Sequence, residues 1–411
     1  YLFCVLFLGL TVLMAEYALG RKSGMSAIEG IHSLARAENK SENWQVVGWI
    51  GSLGAFFILT FYIVISAWVL AFIPQAFGGT FNGFAAEAAR LTAETGTTVS
   101  IADVSASNFG ETISNKYVIG GLLASFLLTN VFVVARGVKG GIEKAATVLM
   151  PAFFILLIGI VGFALVEGDA GAAADFLLTP DFSEVTMGTF LEAVGQAFFS
   201  LSVGSCLMIT YGAYLSRDTN IPRASAIVAS ADTMVALIAG FAIFPIVFAF
   251  GADPAGGPGL FFVSMPIAFS QMGALGVWVG GAFFLLALFA AFTSSISLME
   301  VGVAWLEERE GVTRPGAAMG IGFMLFMIGM GYVYSTDFID FADIITGNIM
   351  LPLCALLLAV FAGWIVSREM LTTELGEGTI MNLWRFMCRW IVPPALAFIL
   401  VLGTLTKLGV I

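Results

Sequence analysis

An all-α polytopic membrane protein is the fold class this sequence predicts, and three observations predict it. Of 411 residues, 59% are hydrophobic and 11% are charged, whereas soluble domains average about 45–50% apolar and about 25% charged. Mean hydropathy is +0.98 over the whole chain, so the apolar residues are not confined to one signal peptide or anchor. The hydrophobic runs are continuous rather than alternating, which selects helices over a membrane barrel, where every second residue faces a polar lumen. A net charge of -11 argues against a nucleic-acid-binding surface.

A run of about 20 apolar residues crosses about 30 Å of hydrocarbon at about 1.5 Å per residue. Ten such runs are expected, at 1–20, 47–73, 117–135, 144–167, 190–213, 224–250, 275–300, 317–335, 341–366 and 385–405. The loops after the first, third, fifth, seventh and ninth runs hold 14 of the 17 cations, among them Arg21, Lys22, Arg136, Lys139, Arg309, Arg314, Arg368, Arg385 and Arg389. Cations near span ends stay on the cytoplasmic side, so these loops are read as cytoplasmic. The intervening loops, with Asp103, Asp169, Glu184, Asp253, Asp337 and Asp340, are read as external. Lys407 then follows a last span that ends outside. The first run therefore travels inward, which leads to the expectation that a further, outward-running span precedes Tyr1. Two external loops are long. One, 74–116, holds an amphipathic piece around Phe84–Leu91, and the other carries Gly256-Gly257-Pro258-Gly259-Leu260 through Pro266, too short to span and expected to dip back into protein.

Polar residues inside spans mark the candidate site. A carboxylate at the bilayer centre costs at least about 2.5–3.5 kcal/mol and needs a partner. Glu16 lies five residues from Arg21, close enough for a local ion pair. Asp232, in Ala231-Asp232-Thr233, falls near the midplane, and no Lys or Arg lies inside any run; it is protonated, hydrogen-bonded, paired with a preceding segment, or neutralised by a bound cation. In the seventh run, Thr293 and Ser294 share a helical face with the carbonyl of Ala290. Those are hard oxygen donors, although hydroxyls also serve helix contacts. The fifth run has a Ser/Gly-rich centre, Ser200-Leu201-Ser202-Val203-Gly204-Ser205-Cys206, which fits either an interrupted helix or close helix packing. Lone His32 and four dispersed cysteines offer no metal-ligand spacing, and no nucleophile constellation suggests an enzyme.

Together and in this order these strings resemble the neurotransmitter:sodium symporter family, which includes the bacterial leucine transporter. The resemblance is carried by Glu16-Tyr17-Ala18-Leu19-Gly20-Arg21, Tyr62 in Phe61-Tyr62-Ile63-Val64, Arg136-Gly137-Val138-Lys139-Gly140-Gly141, Gly195-Gln196 through Gly204, the Gly257-to-Pro266 loop, Thr293-Ser294-Ser295-Ile296, and Asp337 with Asp340. It implies the leucine-transporter fold of two inverted repeats in one transmembrane domain, 1–411. The stretch 1–167 would be the remainder of the first repeat, 190–366 the second, and 385–405 an additional C-terminal helix. The family's first, broken helix is not among these runs, so both sodium sites are expected to be incomplete in this chain.

The resemblance further implies sodium-coupled symport of a neutral, hydrophobic or aromatic amino acid by alternating access, in a bacterial or archaeal inner membrane. Tyr62 would hold the substrate carboxylate under the aromatic lid of Phe199. Ile58, Ser202, Ser205, Ser295 and Leu298 would line the side-chain pocket. Ser200 and Asp232 match the first sodium site, and Ala290, Thr293 and Ser294 the second. Gln196 and Asp340 would form the outer gate, and Glu16 would brace the broken backbone. Asp232 stands where many relatives have asparagine, so chloride is expected to be dispensable. The rival readings are proton coupling through Asp232 or Glu16, a non-transporting receptor, and a channel, which needs a continuous polar lining.

Overall fold

The computed structural model describes residues 1–183, 185–251 and 259–407. Glu184, Asp253, residues 256–258, and the side chains of Asp337 and Lys407 lie outside the described residues. Nine described helices are long and apolar enough to cross a membrane. In chain order the helices are α1 (Leu2–Ser23), α2 (Ala27–Ala37), α3 (Glu42–Phe77), α4 (Phe84–Thr95), α5 (Ile101–Ser114), α6 (Lys116–Val134), α7 (Val138–Glu167), α8 (Ala170–Leu178) and α9 (Met187–Ser200). There follow α10 (Leu207–Tyr214), α11 (Ile221–Ala249), α12 (Leu260–Gln271), α13 (Ala274–Glu307), α14 (Arg314–Tyr334), α15 (Phe338–Ile365), α16 (Arg368–Leu375) and α17 (Thr379–Gly403).

The fifth expected span, 190–213, is split between α9 and α10, each too short to cross alone. Of the two readings of its Ser/Gly centre, the interrupted helix is the one observed. Residues 201–206 leave the helix, with Ser202, Gly204 and Cys206 at positive φ of 54°, 81° and 58°. Only glycine fits at 204, because a Cβ there would collide with the carbonyl of Leu351. Farther along, Gly212 lets α10 cross α1 closely, since a Cβ on it would meet the Tyr17 carbonyl oxygen at 2.8 Å.

Several short helices were not legible as spans. α2 caps the loop after α1 and carries His32 between Glu29 and Glu42. α12 is the described part of the segment expected to dip inward. It buries Phe262 and Phe269, and Phe262 stacks on Phe109 with centroids 5.2 Å apart. α5 begins with a reciprocal cap, Ser100 with Asp103, whose hydrogen bonds hold the Asp103 carboxyl below the usual carboxylate range.

Polar contacts sort the loops into two ends. At one, Arg21 pairs with Glu374 at 2.6 Å and Arg309 with Glu29 at 2.5 Å, while Ser26 binds Glu308. At the other, Gln75 meets Thr112 at 3.0 Å, Ser105 meets the Val263 carbonyl at 2.9 Å, and Asn82 meets the Gly273 carbonyl at 3.0 Å. Segments expected to share the cytoplasm thus meet at the first end, and segments expected outside meet at the second.

Candidate functional site

The broken backbone forms one wall of a cavity of about 550 Å³, within the usual range for small-molecule sites. Ile58 and Tyr62 of α3, Gln196, Phe199 and Ser200 of α9, Ser202 and Ser205 of the break, and Thr293, Ser294 and Leu298 of α13 all line it. Residues that local reading did not single out also line it, including Met150 of α7 and Tyr211 of α10. Tyr211 donates to Ser297 at 2.7 Å, tying the inner half-helix to α13. Phe199 lines the cavity and is 41% exposed, so its ring is not packed in the core.

The break is held by a distant carboxylate. Gly204 N–H donates to Glu16 Oε1 at 2.6 Å, and Glu16 is fully buried on α1. Its Oε2 has no partner among the described residues. The local ion pair considered for Glu16 does not form, because Arg21 points to the loop end and binds Glu374. Within the break, Ser205 Oγ donates to the Ser202 carbonyl at 2.6 Å. That hydroxyl satisfies the chain's own backbone, and what faces the cavity at 205 is small volume.

Asp232 and Ser200, 32 residues apart, meet at the edge of the cavity, with Ser200 Oγ donating to Asp232 Oδ2 at 2.5 Å. Tyr1 joins them, its hydroxyl 3.2 Å from Ser200 Oγ and 3.3 Å from Asp232 Oδ2. Sequence reasoning missed Tyr1, since an aromatic at a span end reads as an interface anchor. On α13, Thr293 Oγ1 donates to the Ala290 carbonyl at 3.0 Å and to the Phe289 carbonyl at 3.1 Å, and Ser294 lines the cavity with Tyr62. The donors gathered here are carboxylate, hydroxyl and carbonyl oxygens, a set suited to a hard cation.

Two expected residues lie elsewhere. Ser295 is buried away from the cavity and donates to Asn130 Oδ1 of α6 at 2.7 Å. One residue's step along a helix turns a side chain by about 100°, and here that step takes Ser295 to Asn130 while Ser294 lines the cavity. A polar Asn130 in mid-span was the available signal. Asp340 is exposed and is not beside Gln196; it is Asp343 that lines a second cavity of about 510 Å³ together with Gln196, Phe199 and Glu192. The three-residue step from 340 to 343 keeps roughly the same face one turn deeper, which spacing alone cannot resolve. A second fully buried carboxylate besides Glu16, namely Glu300, was also overlooked. It pairs with Arg314 and accepts from the Tyr214 hydroxyl at 2.9 Å.

With this geometry in place, similarity to known proteins adds to it. The model of the sodium:neurotransmitter symporter family matches residues 1–409. An uncharacterized sodium-dependent transporter of Bacillus subtilis, YhdH, is 33% identical over 97% of this chain and 87% of its own length. A sodium-dependent transporter of Haemophilus influenzae is 32% identical over 95% of this chain and 87% of its own. Among solved structures, MhsT in complex with L-phenylalanine superposes with a TM-score of 0.81 at 32% identity, over 97% of this chain and 90% of that one. The fold is therefore that of the leucine transporter.

Proposed function

The chain belongs to the sodium:neurotransmitter symporter family, and from that premise we propose that it imports neutral amino acids, hydrophobic or aromatic ones above all, by alternating access. It is an integral protein of the cell membrane and a sodium-dependent transporter, not an enzyme. The observation that carries the substrate reading is the cavity beside the broken helix, lined by Tyr62 and by apolar Ile58, Leu298, Met150 and Phe199.

A helix interrupted in mid-membrane leaves amides and carbonyls that a zwitterion satisfies. In this reading Tyr62 binds the substrate carboxylate, and Phe199 closes over the bound molecule. Ser202 and Ser205 line the side-chain end, where the small Ser205 leaves room for a large group. Each additional buried methylene is worth about 0.8 kcal/mol, and the phenylalanine bound to MhsT supports the same size class.

Sodium enters the reading as cargo at two places. Ser200 and Asp232 serve one, and Thr293, Ser294 and the Ala290 carbonyl serve the other. The fixed negative charge of Asp232 balances a cation without an added anion, so chloride is not required. Glu16 keeps the break open by holding Gly204, and Gln196 belongs to the outer gate. Residues 1–167 and 190–366 act as the two repeats that move against each other, with 385–405 as an added helix.

Uptake of radiolabelled amino acids by the full-length protein in proteoliposomes tests this. Uptake should vanish when sodium is replaced by choline, persist in gluconate, and be inhibited by phenylalanine, tyrosine, tryptophan or leucine more than by glycine or alanine. Equal uptake in choline would refute the coupling, and stronger inhibition by glycine would refute the substrate class.

A further inference from the structure

Where α15 ends and α17 begins, three arginines gather on neutral acceptors. Arg389 Nε donates to the Gly363 carbonyl at 2.6 Å, Arg385 Nη2 to the Val366 carbonyl at 3.0 Å, and Arg368 Nη2 to Asn382 Oδ1 at 2.6 Å. Every one of these acceptors is neutral. Among the described residues none of the three forms an ion pair, whereas Arg21, Arg90, Arg309 and Arg314 each pair with a glutamate. Arg385 shares this corner with two like charges, which repel it. Its Nη1 is covered and has no acceptor, a state that no other cationic nitrogen shares among the described residues.

The rim of the cluster is aromatic and open. Trp364 and Trp390 meet edge to face with centroids 5.0 Å apart, and the Arg389 guanidinium lies 5.3 Å from the Trp364 ring. These indoles are 47% and 57% exposed. Exposed indoles beside cations at a span end mark the headgroup layer. Topological retention of cations explains why arginines are on this side. It does not explain why three are packed against one another, since dispersed and paired cations satisfy the same rule.

We propose that Arg368, Arg385 and Arg389 form a site for the phosphate of an anionic phospholipid in the leaflet at the Arg21 end, with the acyl chains lying along Trp364 and Trp390. Guanidinium forks match phosphate oxygens in geometry and charge, and basic pockets between helices on this face suit such headgroups. The apolar rim favours a lipid over a free anion. A bound phosphate would relieve the mutual repulsion and offer Arg385 the acceptor that the protein does not supply.

Native mass spectrometry of the full-length protein titrated with phosphatidylglycerol or phosphatidylcholine tests the site. Retention of phosphatidylglycerol should exceed that of phosphatidylcholine by about tenfold, and R385Q/R389Q should reduce the difference to about twofold or less. R136Q/K139Q, which removes cations from another loop at the same end, should keep it. Equal retention by the unaltered protein, an undiminished preference in R385Q/R389Q, or an equal loss in R136Q/K139Q would each overturn the proposal. Should R385Q/R389Q fail to fold, tryptophan quenching in the unaltered protein decides. Brominated phosphatidylglycerol should quench more than its phosphatidylcholine counterpart, with the excess lost in W364F/W390F, and equal quenching refutes the site.

Discussion

The backbone N–H of Gly204 donates to Oε1 of Glu16 at 2.6 Å across 188 residues of sequence, inside a fully buried environment. One end of this bond is a backbone group freed by the broken helix, and the other is a carboxylate that a membrane span would otherwise exclude. Each explains the other. The break needs an acceptor from outside its own helix, and the buried carboxylate needs a donor.

That bond predicts different outcomes for two substitutions. Glu16→Ala leaves a buried amide unpaired, at a cost of about 1–3 kcal/mol. Glu16→Gln keeps a carbonyl oxygen for Gly204 and should retain most of the stability. Thermal unfolding of the purified variants in detergent is the measurement, and equal melting temperatures for the two would contradict the bracing role.

Gly204→Ala should be among the most damaging single-methyl changes in the chain. The residue sits at φ 81° and a Cβ would collide with the Leu351 carbonyl, so a left-handed penalty of about 1–2 kcal/mol adds to a backbone clash. Poor recovery of monodisperse protein is expected. A variant that melts like the unaltered protein would show that the break relaxes easily.

At the Tyr1–Ser200–Asp232 cluster, Asp232→Asn removes the charge while keeping an acceptor. Sodium activation of uptake should shift upward by at least about tenfold, equivalent to about 1.4 kcal/mol, or become dependent on added chloride. Tyr1→Phe removes only the shared hydroxyl and should move sodium activation less. Sodium titrations of uptake in chloride and in gluconate distinguish these outcomes, and an unchanged sodium curve in Asp232→Asn counts against the first site.

Ser295 points to Asn130 and not to the cavity. Ser295→Ala should therefore cost about 1 kcal/mol of stability and leave the ranking of competing amino acids as it was. A changed ranking with unchanged stability would return Ser295 to the pocket wall.

Asp343→Asn should lower uptake several-fold, and Asp340→Asn should leave it near the original level, because only Asp343 shares a cavity with Gln196 and Phe199. Initial uptake rates in matched proteoliposomes decide between the two, and the reverse order would restore Asp340 to the gate.

Much about this protein was determined by sequence alone, because membrane insertion is governed by the length and continuity of apolar runs and by where cations fall. Those are one-dimensional quantities, and they placed ten apolar runs, nine of which are continuous spans among the described residues; the composition within the runs marked the Ser/Gly-rich centre of the fifth and the hydroxyls at 293 and 294. The partners were decided by tertiary structure. Glu16 meets Gly204 and not the nearby Arg21, Asp232 meets both Ser200 and Tyr1, Ser295 turns toward Asn130, and Asp343 faces the cavity. Each choice depends on the rotation of one helix about its axis and on which neighbour it packs against. A run that is apolar on all sides carries no periodic signal of that rotation. Only the packing of helices far apart in the chain supplies the missing angle.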